Sequence, residues 1–97
     1  MTEARRVALV SGGARGIGRA IAERLAQDGW CAVTADLAEA APVPGGRHVM
    51  ADVADEGAVR RLIAGVRASE GRLDGLVCNA GVMVRKPLRD MSLADWQ

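Results

Sequence analysis

The sequence predicts an α/β fold in which helices cover a parallel sheet. Short apolar runs of strand length alternate with longer segments whose apolar residues recur every three or four positions. Glycines or loops separate most of these segments. Because the order is strand, helix, strand, loop, strand, helix, strand, parallel strands joined by crossovers are the simplest arrangement.

A change of apolar period predicts the first strand and the first helix. "VALV", Val7 to Val10, is a continuous apolar run of the kind found in strands whose two faces are both covered. Ile21 and Leu25 follow Ile17 at every fourth position, which is typical of a helix with one buried face. Gly29 is placed to end this helix.

Three further apolar runs predict the remaining strands. "CAVTAD", Cys31 to Asp36, predicts the second strand, and the proline- and glycine-rich segment 38–46 predicts a loop. "HVMADV", His48 to Val53, predicts the third strand. "DGLVCNAG", Asp74 to Gly81, predicts the fourth strand, with a turn at Asn79.

A second helix is predicted between the third and fourth strands. Asp55 stands where an N-cap residue would, and Gly71 is placed to end the helix. The residues that would form its buried stripe are Val59, Leu62, Ile63 and Val66. This helix completes the second crossover of the sheet.

The last residues of the sequence bear on domain organisation. Ser92 to Asp95 has the form of a capping box, which predicts a helix that begins about one turn before Gln97. Because so short a helix is unfavourable, we expect residues 1–97 to be the N-terminal part of one domain, truncated at its C-terminal end. Half a doubly wound sheet would leave the fourth strand with an open edge, so weak stability or association is expected.

Composition argues against several classes of function. A net charge of +1 with 26% charged residues does not favour nucleic acid or an anionic membrane as a partner. The first apolar run ends at Val10, too early for a signal peptide or a membrane span, so a cytoplasmic protein is expected. Cys31 and Cys78 lack metal-ligand spacing, and the single histidine, His48, is predicted to be a polar residue at a strand end. No metal site is expected.

The most informative stretch is "SGGARGIG", Ser11 to Gly18, between the first strand and the first helix. Helix N–H groups, the helix dipole and bare glycine backbone together favour a bound phosphate. A tight turn without a ligand is the structural alternative. A P-loop is disfavoured because Arg19 and Ala20 replace the required lysine and hydroxyl residue. A methyltransferase-type nucleotide site stays open on fold alone.

A dinucleotide site also requires an acidic residue at the end of the second strand, and the sequence contains one. Such sites need an acidic residue about 20 positions after the glycines, at the end of the second strand. Asp36 ends "CAVTAD", 18 residues past Gly18. The sequence therefore predicts a Rossmann-like parallel sheet with flanking helices, corresponding to strands 1–4 of a doubly wound fold.

Three motifs resemble one known family. "SGGARGIG" is similar to the T-G-x-x-x-G-x-G loop of the short-chain dehydrogenase/reductases, with Ser11 keeping the hydroxyl of the usual threonine. "CNAG", Cys78 to Gly81, resembles the family's N-N-A-G, and "ADV", Ala51 to Val53, resembles its Asp-Val pair after the third strand. The resemblance covers essentially the whole chain. Cys78 departs from it, because its side chain lacks the amide of the usual asparagine.

The resemblance implies a binding site for NAD, with NADP as the alternative. Asp36 would accept hydrogen bonds from the adenosine ribose hydroxyls, and Asp52 would face the adenine amino group. A surface charge is the alternative for Asp36, and a helix cap is the alternative for Asp52. The implied cofactor-binding residues are Gly12, Arg15, Gly16, Ile17, Gly18, Asp36, Asp52, Val53, Asn79, Ala80 and Gly81.

The resemblance also implies an activity for the intact protein. It would transfer hydride between NAD(P) and a small carbonyl or alcohol substrate, and it is expected to be a homo-oligomer. The family's catalytic serine and Tyr-x-x-x-Lys would follow Gln97, and the chain contains no tyrosine. We therefore assign no catalytic residue to these 97 residues and expect them to be inactive alone. A non-catalytic dinucleotide-binding or regulatory module is the other alternative.

Overall fold

The computed structural model describes residues 5–78 and the backbone of residues 82–85. Two helices and five strands lie in this part of the chain. In order they are β1 (Val7–Ser11), α1 (Gly16–Gln27), β2 (Cys31–Asp36), β3 (Arg47–Met50), α2 (Glu56–Glu70), β4 (Gly75–Cys78) and β5 (Val82–Arg85). Neither of these two helices is long and apolar enough to cross a membrane.

The strands form one sheet in the order β3-β2-β1-β4-β5. β1 pairs in parallel with β2 on one side and β4 on the other, and β3 pairs in parallel with β2. Val10, near the end of β1, is aligned with Thr34 and Val77. The predicted α/β class and the four parallel strands are confirmed.

Two apolar clusters, one on each face of the sheet, form the core. Leu9 and Val33 pack in one cluster with the stripe of α2, and Val10 packs in the other with Ala22 of α1. All five residues of β1 are buried, as a strand covered on both faces requires. The predicted stripe of α2 is confirmed: Val59, Leu62 and Val66 are buried and Ile63 packs against them.

Both helices end as the sequence predicts. Gly29 takes a positive φ of 90° after α1. The Gly29 N–H donates to the Ala26 carbonyl at 3.1 Å, and the Trp30 N–H donates to the Leu25 carbonyl at 3.0 Å. Gly71 ends α2 with a φ of 79°. These bonds satisfy carbonyl groups that the last helical turn leaves without partners.

The third strand is shorter than predicted, because it ends at Met50 and not at Val53. Asp52 accepts a hydrogen bond from the Ala54 N–H at 3.0 Å through its side chain, and from the Asp55 N–H at 3.1 Å through its carbonyl. An aspartate that bonds nearby backbone in this way replaces sheet pairing with a turn.

A fifth strand was not predicted, and the expectation that β4 has an open edge is wrong. β5 pairs antiparallel with β4, aligning Val82 with Cys78 and Val84 with Leu76. An antiparallel partner needs only a short connection, and β-branched residues suit a strand. Two other predictions, the turn at Asn79 and the capping box at Ser92 to Asp95, lie outside the described residues.

The two cysteines lie at opposite ends of the parallel strands. Cys31 begins β2 and Cys78 ends β4, with β1 between these strands. Both are free thiols, as expected from that separation. Burial raises the pKa of each thiol, which makes both weak nucleophiles.

Candidate functional site

The glycine loop, residues 12–15, leaves the carboxyl end of β1 and leads into α1. The Gly12 N–H donates to the Ala35 carbonyl of β2 at 2.8 Å. On the other side, the Ser11 hydroxyl donates to the Val77 carbonyl of β4 at 3.3 Å. The hydroxyl that Ser11 retains thus tethers the start of the loop, and the loop is fixed between two strand ends.

Two glycines in this region serve different purposes. A Cβ on Gly18 would overlap the Gly12 carbonyl oxygen, so this glycine lets α1 pack against the loop. Gly16 has a φ of 65°, a conformation that side chains disfavour, and among the described residues no heavy atom outside its own chain neighbours and helix backbone lies within 4 Å of where its Cβ would be. Gly16 therefore presents bare backbone to open space at the start of α1.

In the part of the chain that the structure describes, no side chain caps the N–H groups at the start of α1. Arg15 occupies the N-cap position without a side-chain capping bond, and the first turn contains no acidic residue. In α2, by contrast, Asp55 accepts from the Gly57 N–H at 3.3 Å and Glu56 lies in the first turn. Among the described residues, no side chain thus balances the partial positive charge at the start of α1, a position that favours an anion.

Asp36 is the last residue of β2, and its carboxylate joins two loops. One oxygen, Oδ2, accepts from the Ala14 N–H of the glycine loop at 3.2 Å, and the other, Oδ1, accepts from the Ala38 N–H at 3.0 Å. The Ala38 N–H is the main cause that lowers the pKa of Asp36, and the Ala14 N–H adds to it. Among residues 5–78, Asp36 forms no ion pair, so its negative charge is not neutralised by a bonded cation.

A groove of about 470 Å³ opens beside the end of β3. Its lining residues are Val49, Met50, Ala51, Asp52, Asp55, Ala58, Arg61 and Leu62. Asp52 is exposed at this groove, and Val53 packs partly against the core. The helix-cap alternative for Asp52 is wrong, because Asp55 is the N-cap of α2. The groove lies next to the Asp36 strand end, since the Ala51 N–H donates to the Asp36 carbonyl at 2.9 Å.

The predicted residues that the structure describes come together at the carboxyl edge of the sheet. They are Gly12, Arg15, Gly16, Ile17, Gly18, Asp36, Asp52 and Val53. Ile17 is 75% exposed beside the glycine loop. Asn79, Ala80 and Gly81, predicted for the same site, lie outside the described residues.

Sequence reasoning missed the groups that hold Asp36. The Ala14 and Ala38 N–H groups carry no side-chain signal, and their proximity to Asp36 depends on loop conformation. It also treated His48 as an ordinary polar residue, although the imidazole bonds both Thr34 and the Ala38 carbonyl. The alignment of His48 with Thr34 depends on the register of β3 against β2, which only the structure gives.

Comparison with known proteins decides the family. The family model for short chain dehydrogenase matches residues 6–97. The chain belongs to the short-chain dehydrogenase family. The glycine loop, the Asp36 strand end and the strand order are therefore features of a short-chain dehydrogenase.

Individual relatives agree with this membership. A cis-4-hydroxycyclohexanecarboxylate dehydrogenase of Sinomonas cyclohexanicum is 40% identical over 104 residues, which cover 97% of this chain and 42% of that protein. A short-chain dehydrogenase/reductase structure from Sinorhizobium meliloti 1021 matches with a TM-score of 0.74 at 31% identity, covering 98% of this chain and 47% of that one.

A third relative was solved with a cofactor. An actinorhodin polyketide ketoreductase with NADPH matches with a TM-score of 0.68 at 28% identity, covering 77% of this chain and 33% of that one. This chain spans about 40% of the length of the curated relatives it matches.

Proposed function

We propose that this chain is the N-terminal, nicotinamide-dinucleotide-binding part of one domain of an oxidoreductase. The intact protein would transfer hydride between NAD(P) and a small carbonyl or alcohol substrate. The observation that carries the proposal is the Asp36 carboxylate, which is not ion-paired among the described residues and stands beside the glycine loop. Ligands of open parallel sheets bind at this edge.

The glycine loop fits a dinucleotide pyrophosphate. Gly16 leaves open space where a side chain would stand, and the first turn of α1 has neither a capping side chain nor an acidic residue. A pyrophosphate bound there would accept hydrogen bonds from backbone N–H groups near Ile17 and Gly18. Arg15, exposed at the N-cap, supplies a positive charge beside it.

Asp36 would bind the adenosine ribose and favour NAD over NADP. Its carboxylate can accept from ribose hydroxyls, and hydrogen bonds to a charged group contribute about 1.5–3 kcal/mol each. A 2′-phosphate would remove one donor and place a negative charge near the carboxylate, and two charges about 4 Å apart repel by roughly 4 kcal/mol at an effective dielectric near 20. Arg15 could pair with a 2′-phosphate, but ordering its long, exposed side chain would cost conformational entropy, and the pyrophosphate would compete for its charge.

The groove beside β3 would hold the adenine. Asp52 is exposed at its rim, where its carboxylate could accept from the adenine amino group, and the Val53 N–H would face the ring. Asn79, Ala80 and Gly81, which follow β4, would line the cofactor beside the neighbouring strand end. In this arrangement the adenosine lies over β2 and β3, and the nicotinamide lies toward β4.

The bound nicotinamide ring supplies the hydride acceptor or donor, and residues of this chain bind and orient it. The groups that would exchange a proton with the substrate oxygen are expected after Gln97. General acid–base groups typically contribute 10²–10⁴-fold to a rate. We therefore propose that the 97-residue chain binds cofactor but has no dehydrogenase activity.

The test is a binding and activity comparison on the full-length protein. Isothermal titrations with NADH, NADPH and S-adenosylmethionine should show binding of a nicotinamide cofactor and none of S-adenosylmethionine. Absorbance at 340 nm, followed with a panel of alcohols and ketones, should reveal turnover by the full-length protein and none by residues 1–97. Binding of S-adenosylmethionine alone would favour a methyltransferase, and cofactor binding without turnover on any substrate would favour a regulatory module.

A further inference from the structure

His48 connects two strands to the loop that follows Asp36. It lies in β3 opposite Thr34 of β2, and its Nδ1 is 2.7 Å from the Thr34 hydroxyl oxygen. Its Nε2 is 2.8 Å from the Ala38 carbonyl oxygen. Because a carbonyl only accepts, Nε2 carries the proton and donates to Ala38. In the neutral ring Nδ1 then accepts from the Thr34 hydroxyl.

Ala38 passes this restraint to the carboxylate. Its carbonyl accepts from His48, and its N–H donates to Asp36 Oδ1 at 3.0 Å. Both backbone groups of Ala38 are therefore engaged, one by the imidazole and one by Asp36. Because the bond from His48 restrains the peptide that follows Ala38, it limits how far the Ala38 backbone can turn its N–H away from the carboxylate.

Thr34 passes a second restraint through the glycine loop. Its side chain is fully buried, and a Cβ on Gly13 would lie 2.6 Å from the Thr34 Cβ, so the loop backbone rests directly on Thr34. The next residue, Ala14, donates its N–H to Asp36 Oδ2 at 3.2 Å. The two N–H groups that hold the Asp36 carboxylate are thus both supported by residues that His48 bonds.

We propose that His48 is a positioning residue for the Asp36 carboxylate. It acts through Ala38 and Thr34, and through them it keeps the carboxylate oriented for ribose hydroxyls. This inference rests on the proposed function of Asp36. Preorganisation of this kind raises affinity because the binding group is already ordered before the ligand arrives.

Three substitutions separate the two contacts of the imidazole. His48→Gln keeps an amide N–H near the position of Nε2 and should preserve the bond to Ala38. His48→Asn carries its amide near the position of Nδ1 and should keep only the Thr34 contact, and His48→Leu removes both. Arg47→Gln is the matched control, because the neighbouring Arg47 forms an ion pair with Glu70 at 2.9 Å, away from Asp36.

The experiment measures the NADH dissociation constant of the full-length protein for each variant, with and without Asp36→Ala. His48→Leu should weaken binding about five- to tenfold, as expected for one lost hydrogen bond. His48→Asn, which loses the Ala38 bond, should come close to that loss. His48→Gln, which loses only the Thr34 contact, should fall between His48→Asn and wild type, and Arg47→Gln should stay within about twofold of wild type. In the Asp36→Ala background, His48→Leu should have no further effect, since there is no carboxylate left to position.

A cofactor-free measurement keeps the inference testable on its own. Hydrogen exchange of the Ala38 amide in the unliganded full-length protein should be faster in His48→Leu than in wild type and Arg47→Gln. Equal loss of affinity in both backgrounds, or unchanged exchange at Ala38, would overturn the positioning role alone. If Asp36→Ala itself leaves NADH affinity unchanged, the proposed function of Asp36 fails and the inference falls with it.

Discussion

Asp36 lies at the carboxyl ends of the parallel strands and Asp74 at their amino ends. Asp74 is paired with an arginine, whereas Asp36 is bonded by backbone N–H groups. Asp74 directly precedes β4 at the amino edge, where it accepts from the Val7 N–H at 2.9 Å and binds Arg72 through both oxygens at 2.7 and 2.8 Å. Asp36 ends β2 at the carboxyl edge, and within residues 5–78 its carboxylate accepts from the Ala14 and Ala38 N–H groups without an ion pair.

The pKa of both carboxyls is lowered, but by different partners. For Asp74 the main cause is the Arg72 guanidinium, whereas for Asp36 it is the Ala38 N–H. A guanidinium neutralises the carboxylate and occupies both of its oxygens. Two backbone N–H groups orient the carboxylate and leave its charge and some of its lone pairs for a ligand. A lowered pKa alone therefore does not distinguish a structural aspartate from a ligand-binding one. The kind of hydrogen-bond donor, guanidinium or backbone N–H, distinguishes them.

The largest effect on NADH affinity is expected from a substitution that displaces the glycine loop. In Gly18→Ala the new methyl would overlap the Gly12 carbonyl, so the glycine loop must shift and NADH affinity should fall by more than a hundredfold. Gly46→Ala creates a comparable clash with the Ala32 carbonyl near the amino edge. Titration of both full-length variants should show near wild-type NADH affinity for Gly46→Ala. Equal loss in both would mean that general destabilisation explains the effect.

Asp74→Ala should reduce stability more than Asp36→Ala. It leaves the Val7 N–H without its partner in a residue that is 3% exposed, which costs about 1–3 kcal/mol. The donors to Asp36 lie in loops at the sheet edge, where water can replace part of the lost bonding. Urea unfolding of both full-length variants measures the difference, and a greater loss of stability in Asp36→Ala would contradict it.

The two aspartates should also contribute to acid sensitivity. Because the folded-state pKa of Asp74 lies below its ordinary value of 3.8, its stabilising contribution is full above that pH and is lost as the pH falls through the folded-state pKa. The stability difference between wild type and Asp74→Asn should therefore shrink as the pH falls below about 4. Asp36→Asn should show the same direction, measured by urea unfolding over a pH series. A difference that grows toward acid pH would contradict this assignment.

Much of the fold follows from local patterns in the sequence. The continuous apolar run of β1 requires cover on both faces, and its position in the centre of the sheet provides that cover. The glycines after both helices end them because a left-handed residue is needed there. β5 was missed because its four residues, VMVR, form a short run that does not alternate apolar with polar side chains, and pairing with β4 is a tertiary event.

Part of the site was also predictable, because some of its features are local sequence patterns. The glycine spacing and the strand-end position of Asp36 are local, so the sequence indicates both. The N–H donors at Ala14 and Ala38, and the reach of His48 across ten residues to the Ala38 carbonyl, depend on how loops meet above the strands. No side-chain pattern encodes such backbone contacts, and only the folded arrangement reveals them.

The most direct test of the central claim is the ratio of NADP(H) to NAD(H) dissociation constants in the full-length protein. Wild type should favour NAD(H) by about a hundredfold, equivalent to about 2.7 kcal/mol. Asp36→Ala should bring this ratio close to one by weakening NAD(H) and relieving the repulsion of the 2′-phosphate, while Asp74→Ala should leave it unchanged. Equal affinities in wild type, or a ratio that Asp36→Ala does not change, would contradict the claim that Asp36 binds the adenosine ribose and selects NAD(H).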